Sequence, residues 1–382
     1  MALLRIPHLW PLRESLSCWG VLCLILLCAS VAQAQKPPKE EKPQVLALAP
    51  SAPGAVKVET ARFGYLPVPL EERGMLSKQV EESLKRMRRL LRKRRLARIT
   101  AWVGGAGDVR RVSASIREQL SDWRLPIPAI TVIRVGALAS PSARVALDVE
   151  VEEEKAVNPY GLIFLGGVSE QEREFQLDLR NSLERVLSTL DERLRAEGGS
   201  PATVLSARCL VSMNRDTAAL DQALRQRYPA ASARVMQALR TTPESFVNCE
   251  MVARNTVAPS GPLEAKIVTL VEGRPPATSL MKVNTSRLVV TSAQLCFRTT
   301  DADLALGFER LESTLEEQGT KLSNAAHLSI LSQSPELGLR AEEQGRKFLH
   351  PRYDPAILRQ TVESLPALDS TISLDAIVAL PH

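Results

Sequence analysis

The run EREFQLDLRNSLERVLSTLDERLRAEGG, residues 172–199, decides the reading of this chain. Within it Leu179, Leu183, Val186 and Leu190 recur at spacings of four, three and four, with charged residues between them. That pattern predicts an amphipathic helix with one buried stripe, stopped by Gly198-Gly199. The same stripe occurs upstream at Val80, Leu84, Met87 and Leu91, and downstream at Leu304, Phe308, Leu311 and Leu315. The segments after each stripe also repeat. A β-prone run comes next, at 99–103, 204–211 and 326–331, and then a second helical segment. Each ends in a Pro-Ala dipeptide, Pro128-Ala129, Pro229-Ala230 and Pro355-Ala356, lying 48, 50 and 51 residues from the start of its stripe. Nine and ten residues past each proline stand Ala137-Leu138, Ala238-Leu239 and Ser364-Leu365. About ten residues later a carboxylate sits in a β-prone strand: Asp148, Glu250 and Asp375. Three units of like order and spacing argue for an internal triplication.

The chain has 382 residues, an ordinary apolar fraction of 45%, few aromatic residues and a net charge of +6. That charge is modest for the length and requires neither a nucleic-acid nor a membrane partner. Arg5 and Arg13 precede an apolar segment, 18–32, and Ala32-Gln33-Ala34 gives a small-x-small pattern. Residues 1–34 therefore read as a secretory signal peptide, and the chain as exported to the periplasm or beyond the cell. The rival reading is an uncleaved anchor. No later stretch is apolar for long enough to span a bilayer. Residues 35–54, rich in Pro and charge, read as a flexible leader. Units are then expected at 55–157, 158–258 and 259–382, each running strand, helix, strand, helix, strand, strand. The third carries an extra strand pair, 266–283. This is an α+β fold, with two helices on one face of a mixed sheet. Three such units can close into a ring within one chain, an intramolecular pseudo-trimer, so a monomer is expected.

Three of the six cysteines fall in the signal. Cys209, Cys249 and Cys296 lie in expected strands; Cys209 and Cys249 either pair or stay as buried thiols. The first long helix is expected to continue to about Ala97. Its basic run, Arg86–Arg98, reads either as an anion-binding helix face or as a solvated outer face with its stripe packed inward. Gly104-Gly-Ala-Gly107 has neither the Lys-Ser/Thr of a P-loop nor dinucleotide-fingerprint spacing, so it reads as a plain turn. The histidines do not cluster, zinc-ligand spacing is missing, and no catalytic elbow or metalloprotease pair occurs. No metal, cofactor or nucleic-acid partner is expected.

The order of elements, the Pro-Ala dipeptide before the late strand and the acidic last strand resemble the RidA family, also called YjgF/YER057c/UK114. Leu288-Val-Val-Thr-Ser-Ala-Gln294 is similar to that family's early strand, and Tyr160–Val168 looks like the same strand in the second unit. The resemblance spans about 56–380 in three degenerate copies and implies chorismate-mutase-like units. It also implies hydrolysis of enamines and imines in clefts between neighbouring units. In the family, an arginine directly after Pro-Ala grips the substrate carboxylate through two parallel donors, and a glutamate in the last strand positions water. Here that arginine position reads Ile130, Ala231 and Ile357, while the acidic position survives as Asp148, Glu250 and Asp375. Of the nearby Arg134, Arg234 and Arg359, only Arg134 reads as sharing the face of its aliphatic position. The expected function is therefore a small-ligand-binding or interaction protein without the arginine-dependent activity. Its clefts would be lined by Ile130, Asp148, Ala231, Ser292, Ile357 and Asp375, and its ligand would be a small carboxylate or imine. The alternative is an enamine/imine deaminase with a relocated carboxylate anchor and Glu250 as the catalytic acid group.

Overall fold

A computed structural model describes residues 49–105, 108–173, 178–212, 216–242, 244–268 and 278–381. The expected signal peptide, leader residues 35–48, the end of the glycine turn and the turn at Arg274 lie outside these. The three apolar stripes fold as the helices α1 (Leu76–Leu91), α3 (Leu179–Ala196) and α5 (Asp301–Glu316). Their second partners are α2 (Val112–Asp122), α4 (Thr217–Arg227) and α6 (Pro335–Gly345). Every stripe residue from Val80 to Leu91 and from Leu304 to Leu315 is buried. So are Leu183, Val186 and Leu190, while Leu179 packs at the margin of the same core. Burying a side chain of this size is worth roughly 1.5–3 kcal/mol.

Each helix pair covers one face of a mixed sheet, giving three similar units. In the first, β2 (Phe63–Leu66), β5 (Val145–Glu152), β3 (Arg95–Gly104) and β4 (Ala129–Val135) lie in that order. In the second the order is β6 (Leu162–Arg173), β9 (Glu244–Arg254), β7 (Val204–Val211) and β8 (Ser232–Gln237). In the third it is β12 (Arg287–Thr291), β16 (Ile372–Leu380), β14 (Ala325–Ser332) and β15 (Ala356–Thr361), with β13 (Gln294–Cys296) also on β16. The last pair in each order is parallel, as a crossover through a helix requires. The likeness extends to single residues. Each central strand carries one extra residue at the same place, between Leu96 and Arg98, Val204 and Ser206, and Ala325 and His327. These bulges set Arg98, Ser206 and His327 as equivalent positions.

The sheets exchange strands across the unit boundaries expected from the repeat. Strand β1 (Ala55–Glu59) pairs with β12 of the third unit, register Ala55↔Thr291. The hairpin β10 (Leu263–Val268) and β11 (Thr278–Val283) pairs with β6 and extends the second sheet, not the third. Gly161 makes this junction possible, with φ +81; a Cβ there would overlap the Val283 carbonyl oxygen.

The faces turned away from the helices pack against one another. One shared apolar cluster includes Phe63, Ala97, Phe164, Met281, Val290 and Ile377. A second includes Trp102, Ile133, Leu138, Met236, Leu331 and Leu365. The repeated small-residue–leucine pairs close this second end: Arg134 exchanges backbone hydrogen bonds with Ser364, and Ala137 with Gln237.

Two local expectations are corrected. The first helix does not run on through the basic stretch. It stops at Leu91, where Arg92 takes a left-handed φ of 48, and Arg95 already begins β3. Only the first part of the basic run, residues 86–89, lies on a helix face, and much of the run is paired: Arg86 with Glu71, Lys93 with Glu154, Arg94 with Glu153, Arg95 with Glu152 and Arg98 with Glu150. Also, leader residues 49–54 are docked. The Pro53 and Gly54 carbonyls accept from the Ser292 hydroxyl and amide, and Ala49 and Pro50 accept from Arg117.

Candidate functional site

The bulge register brings the three repeated carboxylates to one place, between the two shared apolar clusters. Each meets a basic side chain of the next unit. Arg98 of the first unit donates to Asp375 of the third at 2.6 Å, and to its own unit's Glu150 at 2.6 Å. His327, the equivalent residue of the third unit, contacts Glu250 of the second at 2.6 Å. Ser206 of the second unit carries no charge. There Arg208, two residues on, and Arg234 of β8 reach Asp148 of the first unit, at 3.4 and 3.0 Å. Arg208 also pairs with Glu250 and lies 4.9 Å over the Trp102 ring, whose indole N–H donates to Asp148 at 2.7 Å. The side chains of Arg98, Arg234, Glu150, Glu250, His327 and Asp375 are all under one-tenth exposed.

Neighbours decide how these acids titrate. Burial pushes Glu250 upward, but Arg208 and His327 outweigh it and hold the carboxyl at about 2. Burial raises Glu150, against the pull of Arg98. It also raises the Tyr65 phenol, with Glu150 adding to the effect. For Glu250 the folded value lies below the unfolded one, near 4.5. Its contribution is thus complete above that pH and is lost as pH falls towards 2, about 3 kcal/mol in all. Glu150 has the opposite sign, gaining stability as pH falls through its raised value. Glu250→Gln should therefore flatten the acid limb of stability below pH 4.5 relative to wild type, read from urea unfolding at pH 5 and pH 3. Identical limbs in the two proteins would refute this assignment.

The expected cleft residues divide. Asp148, Glu250 and Asp375 meet at the centre and are tied up in ion pairs. Ser292 and Ile130 meet at the seam between the third and first units, where the Ile130 amide donates to the Ser292 hydroxyl at 2.9 Å. That hydroxyl also donates to Pro53, so the leader fills this seam. Ile357 lies at the seam between the second and third units, against Gly166 and Gly167; a Cβ on Gly166 would stand 2.7 Å from the Ile357 amide. Ala231 is corrected. Like Ile130 and Ala233 it packs in its own unit's helix-side core, but it is out of register, because Ser206 pairs with Ser232 where Arg98 pairs with Ala129 and His327 with Ala356. Ala233 is the true equivalent of Ile130 and Ile357, and Pro229-Ala230 stands two residues short. The parity reading is also corrected. Arg359 stands two residues past Ile357 and so shares its face.

Arg359 lines a groove of 320 Å³ at the seam between the second and third units. Ser169, Gln171, Phe246 and Asn248 line one wall, and Leu339, Gln360 and Thr361 the other. One Arg359 nitrogen donates to Glu342 at 2.6 Å. The Asn248 side-chain amide donates to the Arg359 carbonyl at 3.1 Å, and its own oxygen is buried without a partner.

Cys209 and Cys249 stand opposite each other in β7 and β9 and are joined by a disulfide, which settles the alternative left open by the sequence. Cys296 is a buried free thiol, pushed up to about 12 chiefly by burial. Among the described residues no group of three or more His, Cys, Asp or Glu side chains could hold a metal ion, and no helix is long and apolar enough to cross a membrane.

No protein-family description and no curated protein matches the chain. Solved structures do. RidA from the Antarctic bacterium Psychrobacter sp. PAMC 21119 is 22% identical over 26% of this chain and 83% of its own, with a TM-score of 0.23. The YjgF gene product of E. coli is 18% identical over 25% of this chain and 81% of its own, TM-score 0.23. A member of the YjgF/YER057c/UK114 family from Mycobacterium tuberculosis is 16% identical over 26% and 82%, TM-score 0.23.

Proposed function

We propose that the chain is an exported RidA-like pseudo-trimer, with chorismate-mutase-like units, that works as a monomer and binds a small carboxylate or imine ligand without the arginine-dependent hydrolysis. The observation that carries this reading is the fate of the acids. Asp148 and Asp375 each accept from an arginine of the neighbouring unit, Glu250 is held between Arg208 and the neighbouring unit's His327, and a carboxylate committed to a buried pair is poorly placed to activate water. The ligand site is the open groove at the seam of the second and third units. Arg359 offers its remaining donors to a carboxylate there, and Phe246 and Leu339 supply apolar wall.

A second reading keeps the imine hydrolase, with Arg359 as the relocated anchor. Calorimetric titration with small carboxylates and a direct 2-imino acid hydrolysis assay separate the two. We expect saturable binding that weakens at least tenfold in Arg359→Ala, with hydrolysis at the uncatalysed rate in both proteins. Turnover lost in Arg359→Ala selects the hydrolase. Binding that is unchanged in Arg359→Ala removes the groove from both accounts.

A further inference from the structure

The centre where the three units meet encloses a cavity of 20 Å³ lined by Tyr65, Arg98, Glu150, Arg208, Glu250 and His327, among others. Four of these residues have a buried polar atom with no hydrogen-bond partner: Arg98 Nε, Glu150 Oε2, Arg208 Nε and His327 Nδ1. Such orphans are costly in a low-dielectric interior unless something meets them. A polar void of more than about 10–15 Å³ holds one water molecule.

The charge at this centre is also unbalanced. The groups facing it are Tyr65 from β2, Arg98 from β3, Asp148 and Glu150 from β5 and Arg208 from β7. Arg234 from β8, Glu250 from β9, His327 from β14 and Asp375 from β16 complete the set. Three guanidiniums therefore meet four carboxylates. With Tyr65 and His327 neutral, one negative charge is left over, and an uncompensated buried charge is unfavourable.

We propose that this centre is a binding site for one water molecule and one proton, the water bridging His327 Nδ1 and Glu150 Oε2. His327 Nε2 faces the Glu250 carboxylate at 2.6 Å and so carries its hydrogen there, which leaves Nδ1 to face the cavity. With the extra proton on Nδ1, that N–H donates to the water and the water donates to Glu150. Passing one proton along each bond puts it on Glu150, whose O–H then donates to the water while the water donates to Nδ1. Both arrangements contain the same atoms and charge, and in both the two orphans are satisfied. The upward push of burial on Glu150 agrees with a proton held on this side of the centre.

The test is the pH dependence of unfolding of the full chain between pH 7.5 and 9, in wild type, Glu150→Gln and His327→Gln. An unfolded histidine, with a pKa of about 6.5, and an unfolded glutamate have both lost their proton in this range. A native state that keeps one therefore has an unfolding constant that rises tenfold per pH unit. Groups elsewhere contribute equally to all three proteins. Glu150→Gln removes the surplus charge and should lose this tenfold-per-unit component. His327→Gln leaves four carboxylates against three guanidiniums and should keep it. Equal slopes in wild type and Glu150→Gln would overturn the proposal. If Glu150→Gln does not fold, a crystal structure of the wild type decides. A solvent peak within hydrogen-bond distance of both His327 Nδ1 and Glu150 Oε2 is expected, and an empty cavity overturns the site.

Discussion

Arg98→Ala should lower the stability of this protein by about 3–5 kcal/mol, the largest single-residue effect expected in the chain. Arg98 is 3% exposed and holds two carboxylates, Glu150 of its own unit and Asp375 of the third, each at 2.6 Å. Cutting it back leaves both acids buried with a shared cation gone, and water has little room to reach them. The cost thus comes from stranding charges more than from losing an attraction. A matched variant separates the two. Arg98→Met combined with Glu150→Leu and Asp375→Leu removes all three charges and should regain at least half of the loss, since apolar side chains of like size often replace a buried ionic group at little cost. Urea unfolding monitored by circular dichroism reads both. An Arg98→Ala protein within about 1 kcal/mol of wild type, the range of an exposed pair, would show that the central ion pairs contribute little to holding the units together.

The second large effect is expected at the disulfide. Cys209 and Cys249 close a loop with a sequence separation of 40, and both are fully buried in the second unit's core. Constraining a loop of that length in the unfolded chain is worth about 4 kcal/mol on the chain-entropy account. The Cys209→Ala/Cys249→Ala pair should lose about that much, plus a small packing term. Equilibrium unfolding with and without reductant gives the same difference without mutation, provided reduction is carried out in denaturant. Natively the bond is shielded on both sides, so reductant alone should act only at the rate of unfolding. Rapid reduction under native conditions would contradict this burial.

The helices are legible in the sequence because their signal is local. A stripe at spacings of three and four needs only an inward-facing side, and all three stripes find one. The strand at Val204–Val211 is legible for the same reason. The exchanged strands are not, since nothing within Ala55–Glu59 or Thr278–Val283 says which distant edge will accept it. The first helix reads too long because its stop lacks the usual punctuation: Arg92 takes a backbone conformation normally left to glycine. That error hides Arg98, which reads as one more surface charge in a basic run but is a buried strand residue. His327 looks isolated along the chain because its partner is 77 residues away. Ala231 is misplaced because a dipeptide is too short to fix a register, and only the bulges show the two-residue shift.

The position of β1 has a consequence for the order of assembly. This strand is among the earliest parts of the described chain to be made, yet among the described residues its only sheet neighbour is β12, which begins at Arg287. During synthesis it must wait, unpaired, until most of the polypeptide exists. The third unit's sheet therefore takes strands from both early and late parts of the described chain, and the molecule cannot be completed strictly unit by unit, as a multidomain chain usually is. Ribosome-bound fragments ending before Arg287 carry β1 with no edge to pair with, and the last unit made is the one that gives it a place.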